Sequence, residues 1–311
     1  MKILFAATPK IALKTLKEIH SSSHEVVFVL TSEEKPSGRG LKIRKSPISE
    51  FAISEGIEIR NQHSLSEIDF VKEIKNLGID LIVVFAFGFI LSEKVISAPK
   101  FGSINIHTSL LPKYRGAAPI QRSIMAGDKK TGITFMKMDA GMDTGPLISR
   151  IQVDINEGET SEEISEKLSD ISSSNIIQTI DSIEFNKYSL VPQNEEESSY
   201  APKITKEESF IDWNQPARKI ADKINALCPN PCAHAKYKNE RIIFYKAVVS
   251  DYASNSPGKI ERFDKNEFLV GAQDSCVSVL ELARQNKKRM SFKDFYNGSK
   301  DFFNDNEEFH N

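Results

Sequence analysis

The chain has 311 residues, 40% apolar and 27% charged, the composition of an ordinary globular protein with one large domain or two ordinary ones. Its 41 Lys and Arg against 43 Asp and Glu leave a net charge of −2, which excludes a surface coated in positive charge. Three cysteines (Cys228, Cys232 and Cys276) exclude a disulfide framework and, without C-x-x-C spacing, a zinc site.

The opening MKILFAATPKIALKTL lacks a signal peptide's apolar core, and no run approaches the ~20 apolar residues of a membrane span. A cytoplasmic monomer is expected. KILFAAT (2–8) reads as a buried strand, LKTLKEI as a helix and EVVFVLT (25–31) as a second strand. IEIRN is a weak strand, and SEIDFVKEIKNLG is an amphipathic helix closed by Gly78. DLIVVFAF (80–87) is nearly all apolar, as a central parallel strand covered on both faces should be. LSEKVISA reads as helix, INIHTS as strand, PIQRSIMAG as a helix with Pro119 in its first turn, and TGITFMKM as strand. This alternation predicts an α/β fold, a doubly wound and mostly parallel sheet.

The stretch 161–184 reads as one long helix, which completes a first domain over 1–190. Two prolines and many charges without periodicity make 191–208 a linker. In 209–311, a helix at roughly 215–227 is stopped by CPNPC. The runs HAKYK, ERIIFYKAVV, GKIERF, EFLVGA and CVSVLEL follow, at the ~8–12-residue spacing of a small OB-like β-barrel. This part is mildly basic, 18 Lys and Arg to 12 Asp and Glu over 201–300, before an acidic tail. The first strand is followed by ATPKIA rather than G-x-G-x-x-G, and there is no G-x-x-x-x-G-K-[ST]. That excludes a dinucleotide at this helix start and leaves nucleotide hydrolysis without support.

Residues 103–145, SINIHTSLLPKYRGAAPIQRSIMAGDKKTGITFMKMDAGMDTG, carry the chemistry. Asn105 and His107 are two apart in an alternating strand, so they share a face at its carboxyl end, where open α/β sheets build their sites. Asn105 offers an amide donor for a developing oxyanion, and His107 can donate to the same oxygen or move a proton. Asp143 lies in a glycine-rich loop and can orient an imidazole or hold a water. This set suits acyl transfer to an amine, but its spacing alone is more often that of strand and turn residues with no catalytic role. PSGRGLKIRKSPI (36–48) is a second candidate. Its Gly and Pro keep it irregular, and five cations within 35–45 suit either phosphates or solvent.

The SINIHTSLLP, RGAAP and DAGMDTG segments resemble the folate-dependent formyltransferases, and the resemblance covers nearly the whole chain. It implies formyl transfer from 10-formyltetrahydrofolate as co-substrate, without metal, with Asn105, His107 and Asp143 catalytic. It implies folate contacts at Ser109, Leu110, Leu111, Pro112, Asp139 and Gly141. In FGFIL, Phe87 and Ile90 are read equally well as folate pocket or core. The Gly-Arg-Gly insertion is a mark of members that act on tRNA. It implies initiator methionyl-tRNA as acceptor, for translation initiation, with contacts from Arg39, Lys42, Arg44, Lys287 and Lys288. Two departures stand out: Asn230 replaces an aromatic between prolines, and the Pro and Gly expected near 284–289 are absent. An amino-sugar formyltransferase and a catalytically dead RNA-binding protein are the rival readings.

Overall fold

The computed structural model of the protein describes residues 1–33, 45–61, 66–254 and 256–310, together with the backbone of 36–37 and 42–43. The chain forms two compact units, one of 1–117, 132–153 and 165–201, the other of 118–131, 154–164 and 202–311.

In chain order the elements begin β1 (Lys2–Ala7), α1 (Leu13–His20), β2 (Glu25–Thr31), β3 (Pro36–Ser37), β4 (Lys42–Ile43), α2 (Pro47–Ser54) and β5 (Glu58–Asn61). Then come α3 (Glu67–Asn76), β6 (Leu81–Phe85), α4 (Glu93–Ile96), β7 (Ser103–His107), β8 (Arg115–Gly116) and α5 (Pro119–Met125). Next are β9 (Lys130–Lys137), β10 (Leu147–Asp154), α6 (Ser161–Glu184), β11 (Tyr200–Ala201) and α7 (Ala217–Leu227). The chain finishes with β12 (Ala233–Tyr237), β13 (Glu240–Ser250), β14 (Ile260–Phe263), β15 (Phe268–Gly271), β16 (Cys276–Arg284), β17 (Met290–Ser291) and α8 (Phe292–Gly298).

The first unit holds a seven-stranded sheet in the order β10-β9-β7-β6-β1-β2-β5. Its five strands from β5 to β7 run parallel, and β9 joins β7 antiparallel. Every residue of β6 is buried, as are Ile3 to Ala7 of β1, so neither strand shows polar alternation. The order turns back at β1, with β2 and β5 on one side and β6 and β7 on the other. Such a reversal opens a crevice at the carboxyl ends of the strands. The helices start on local signals: Ser46 and Ser66 accept from the backbone N–H of Ser49 and Asp69, and Pro47 and Pro119 occupy first-turn positions. Several elements lie outside the sequence expectations, the two longest being α2 and β10. β10 is an edge strand buried chiefly at Leu147, too exposed to give an apolar signal. The Ser-Pro start of α2 falls within a segment read as a basic loop.

The second unit holds an antiparallel sheet ordered β12-β13-β16-β15-β14 with β17 on β16, together with α5, α7 and α8. The acidic tail joins its two edges. Phe309 and Ile260 donate to Gly258 and Glu307 at 2.8 and 2.7 Å beside β14, while His310 and Lys236 exchange backbone bonds on β12. Edge groups that would otherwise face water are thereby paired. The core is aromatic: Phe303, 2% exposed, has ring centroids of Tyr237, Phe302, Phe268, Phe263 and Phe295 within 4.6–5.5 Å.

Candidate active site

β7 ends at the crevice edge, and its alternation places Asn105 and His107 on one face. Asp143 arrives from the loop between β9 and β10. The loop's shape is set by close packing: a Cβ on Gly145 would lie 1.9 Å from the Lys137 carbonyl oxygen. The Asp139 carboxylate accepts from the Gly141 N–H at 3.0 Å and the Thr144 hydroxyl at 2.7 Å. Asp143 itself sits at φ 55°, a left-handed conformation that costs a non-glycine residue about 1 kcal/mol or more unless its surroundings hold it.

Those surroundings are polar and specific. The Asn105 amide donates to Asp143 Oδ1 at 3.0 Å. The Gly116 N–H donates to Oδ2 at 2.9 Å, and His107 Nδ1 lies 3.5 Å from Oδ2. Gly116 has φ 111°, and a Cβ there would fall 2.5 Å from the Tyr200 ring, so only glycine presents its N–H in this way. His107, 5% exposed, donates Nε2–H to the Tyr114 carbonyl at 2.8 Å, which fixes the ring and turns Nδ1 toward Asp143. Asn105 keeps a second amide hydrogen. The structure thus brings Asn105, His107 and Asp143 into one contact group.

Three residues missed from the sequence complete the surroundings. The buried guanidinium of Arg115 donates to both Glu195 oxygens at 2.8–2.9 Å and to Gln193 Oε1 at 2.9 and 3.1 Å. Gln193 Nε2 donates to the Asp143 and Gly145 carbonyls, both at 2.8 Å. The Glu195 carboxylate holds the Arg115 pKa above its ordinary value, and Arg115 lowers that of Glu195. Arg115 stood in the quoted RGAAP segment. Gln193 and Glu195 stood in a stretch without periodicity, where nothing marked them.

The other sequence candidates divide. Ser109 and Leu111 are fully buried. The Ser109 hydroxyl donates to the Lys113 carbonyl, and the Leu111 N–H to Thr134 Oγ1. Pro112 is buried and Leu110 half-buried. Phe87 packs in the core of the first unit, while Ile90, three residues on, is 86% exposed. Asp139 and Gly141 are exposed in the Asp143 loop. Arg39 and Arg44 lie outside the described residues, and Lys42 is described by its backbone in β4. Lys287 and Lys288 are exposed, but Arg289 beside them pairs with Glu281 and Glu162. Among the described residues, one group could hold a cation: His24, Asp181 and Glu184, whose ligand atoms lie within 4.8 Å of one another. None of the candidate site residues belongs to it, and His24 is already bonded to Asp181 at 3.1 Å.

A Rossmann-like α/β unit with an amide, an imidazole and a carboxylate at its sheet edge, followed by an antiparallel β unit, defines the class. The formyl transferase family matches residues 1–180, and the formyl transferase C-terminal domain matches 203–300. The chain belongs to the formyl transferase family. It is 40% identical over 300 residues to the methionyl-tRNA formyltransferase of Alkaliphilus oremlandii, covering 96% of this chain and 97% of the relative. It is 36% identical over 301 residues to that of Pseudoalteromonas translucida, at 96% and 94% coverage. Among solved structures, an N-formyltransferase from Helicobacter canadensis in complex with folinic acid and dTDP-3-aminofucose superposes with a TM-score of 0.68 at 19% identity, covering 90% and 98%. The methionyl-tRNA formyltransferase from Clostridium thermocellum gives 0.58 at 22% identity, covering 81% and 94%. No helix among the described residues is long and apolar enough to cross a membrane.

Proposed function

We propose that this protein transfers the formyl group of 10-formyltetrahydrofolate to the amino group of methionyl initiator tRNA, with Asn105, His107 and Asp143 as its catalytic residues. The carrying observation is the Asp143 carboxylate, gathered with an amide donor and an imidazole at a parallel sheet's carboxyl edge. Identity of 36–40% over nearly the full chain to methionyl-tRNA formyltransferases supports the choice of acceptor.

The amine lone pair attacks the formyl carbon, a C–N bond forms, and the carbonyl electrons move to oxygen. The remaining Asn105 N–H stabilises that oxyanion, as preorganised amide donors do. The attacking nitrogen now carries a surplus proton. Asp143 accepts it and shares it with His107 Nδ1. Collapse re-forms the carbonyl and breaks the bond to the folate nitrogen, which recovers a proton. No step requires a metal. The segment 109–112, the Phe87–Ile90 loop and the Asp139–Gly141 turn form the folate side. Residues 1–190 act as the catalytic domain, 191–208 as linker and 209–311 as the tRNA-binding domain. Arg39, Lys42, Arg44, Lys287 and Lys288 meet RNA phosphates. The protein works as a cytoplasmic monomer.

A sugar amine is the second reading, raised by the dTDP-3-aminofucose bound in the Helicobacter canadensis structure, whose likeness at 19% identity is one of fold. The test is formyl transfer from 10-formyltetrahydrofolate to charged initiator tRNA, charged elongator tRNA and dTDP-amino sugars in parallel. Formylation of the initiator alone is expected. Transfer only to a sugar would discard the tRNA assignment and keep the site. No transfer to any acceptor would overturn both.

A further inference from the structure

The geometry points to Gln193, held by Arg115, as a positioning residue that fixes the Asp143 carboxylate for the reaction. This rests on the catalytic reading of Asp143 above. Four hydrogen bonds determine the Gln193 amide. Its oxygen accepts two guanidinium N–H bonds from Arg115, and its nitrogen donates to the carbonyls of Asp143 and Gly145. Rotating the amide by 180° would set donor against donor and acceptor against acceptor, so the orientation is unique. Arg115 is held in turn by a two-pronged pair with Glu195, and its main chain by the Ser199 carbonyl at 2.8 Å.

The device grips Asp143 from both ends. Gly116, next in sequence to Arg115, donates to the carboxylate, and Gln193 donates to the same residue's carbonyl. The segment that carries Gln193 is anchored where the loop ends, because Val191 and Leu147 exchange backbone bonds at 2.8 and 2.9 Å. A left-handed residue without glycine's freedom relaxes unless its peptide is held. Removing the Gln193 donors frees that peptide, and the carboxylate moves with it.

The competing account makes Gln193 a mere acceptor that satisfies the Arg115 charge. Two substitutions separate them. Gln193→Met keeps the volume and removes every hydrogen bond. Gln193→Glu strengthens the acceptor facing Arg115 but sets an anion against two carbonyls. If Gln193 positions Asp143, both variants lose about 100-fold in kcat, the scale of a ~1 Å misplacement, with KM for either substrate within twofold. Both also exchange the Gly116 amide hydrogen faster, at unchanged exchange in β1 and β6. Near wild-type kcat in Gln193→Glu overturns the proposal in favour of the acceptor account. Unchanged Gly116 exchange in Gln193→Met overturns the grip itself. Faster exchange with unchanged kcat overturns its role in the reaction. Asp143→Asn, measured beside them, keeps the two readings apart: if it retains turnover, the catalytic assignment of Asp143 has failed, while the exchange data still decide whether Gln193 holds the loop.

Discussion

The carboxyl edge of the first sheet and the interior of the second unit solve opposite problems. At the sheet edge a carboxylate with a 14% exposed side chain is surrounded by an amide, an imidazole and a backbone N–H, and a further amide holds its carbonyl. Each group there is specified by direction as well as by type. In the second unit, specification is by volume: Tyr237, Phe244, Phe268 and Phe303 pack against neighbouring rings at edge-to-face and tilted angles, with at most 2% exposure. Burying a polar group without partners is costly, whereas aromatic packing tolerates many arrangements of roughly the right size. The first region should therefore lose function before stability, and the second stability before function.

The largest effect expected is on turnover. Asp143→Asn preserves shape and removes the proton acceptor, so kcat should fall by about 10³-fold, within the range for a positioned general base. The melting temperature should move by less than ~2 °C, and tRNA affinity should hold. Steady-state kinetics with a thermal melt checks this, and an unfolded variant would erase the contrast. Next, Phe303→Ala should remove about 3–5 kcal/mol, the usual toll for truncating a buried Phe. Urea unfolding followed by Trp213 fluorescence reports on this core, because Trp213 packs 5.8 Å from Phe244 in the same cluster. A loss below ~1 kcal/mol would mean that the core repacks freely.

The two regions also differed in how far they could be read from sequence. The aromatic domain declared itself through short alternating strands, since burial on one face prints a period of two. The apolar parallel strands were equally plain. Asn105 and His107 were legible because strand geometry alone sets them side by side. Asp143 was legible as a loop carboxylate, but its contact with Asn105 spans 38 residues and follows from the fold. Gln193 and Glu195 were opaque for the same reason carried further: they reach Arg115 across 78 and 80 residues from a segment with no periodicity. Nothing in the sequence decided whether the acidic tail past Asp301 is ordered. It is an edge partner for two strands, which only pairing geometry reveals.

A smaller effect sharpens the division between positioning and electrostatics. If Lys287 and Lys288 each meet an RNA phosphate, changing both to Ala should weaken binding uniformly across RNA sequences. The slope of log affinity against log salt should become shallower by about 2, one unit per phosphate. Arg289→Ala should act differently. Its guanidinium already bonds Glu162 and Glu281, so stability should fall while the salt slope stays put. Titrations at several salt concentrations distinguish these outcomes, and an unchanged slope in the double variant would remove both lysines from the interface.

The smallest effect tests a half-buried carboxylate on α7 of the second unit. Asp222 on α7 is half-buried, and burial raises its pKa from 3.8 to about 6. The charges of Arg218 and Lys129 pull it back only in part, and Glu157 adds to the rise. Unlike Asp143, it has no hydrogen-bond donor among the described residues, so no hydrogen bond adds to that partial compensation. Its folded pKa exceeds its unfolded one, so the folded state binds the proton more tightly. The stability contributed by the bound proton is fully present below about pH 4 and is lost as pH rises through about 6. Above that the cost is constant, and solvent screening of a half-exposed group limits it to about 1 kcal/mol. Asp222→Asn keeps the shape and carries no charge. At pH 7.5 it should raise the melting temperature of the second unit by about 2–4 °C, and by progressively less toward pH 4. A gain of equal size at every pH would trace to packing, and a loss at pH 7.5 would show that Arg218 and Lys129 compensate the charge fully.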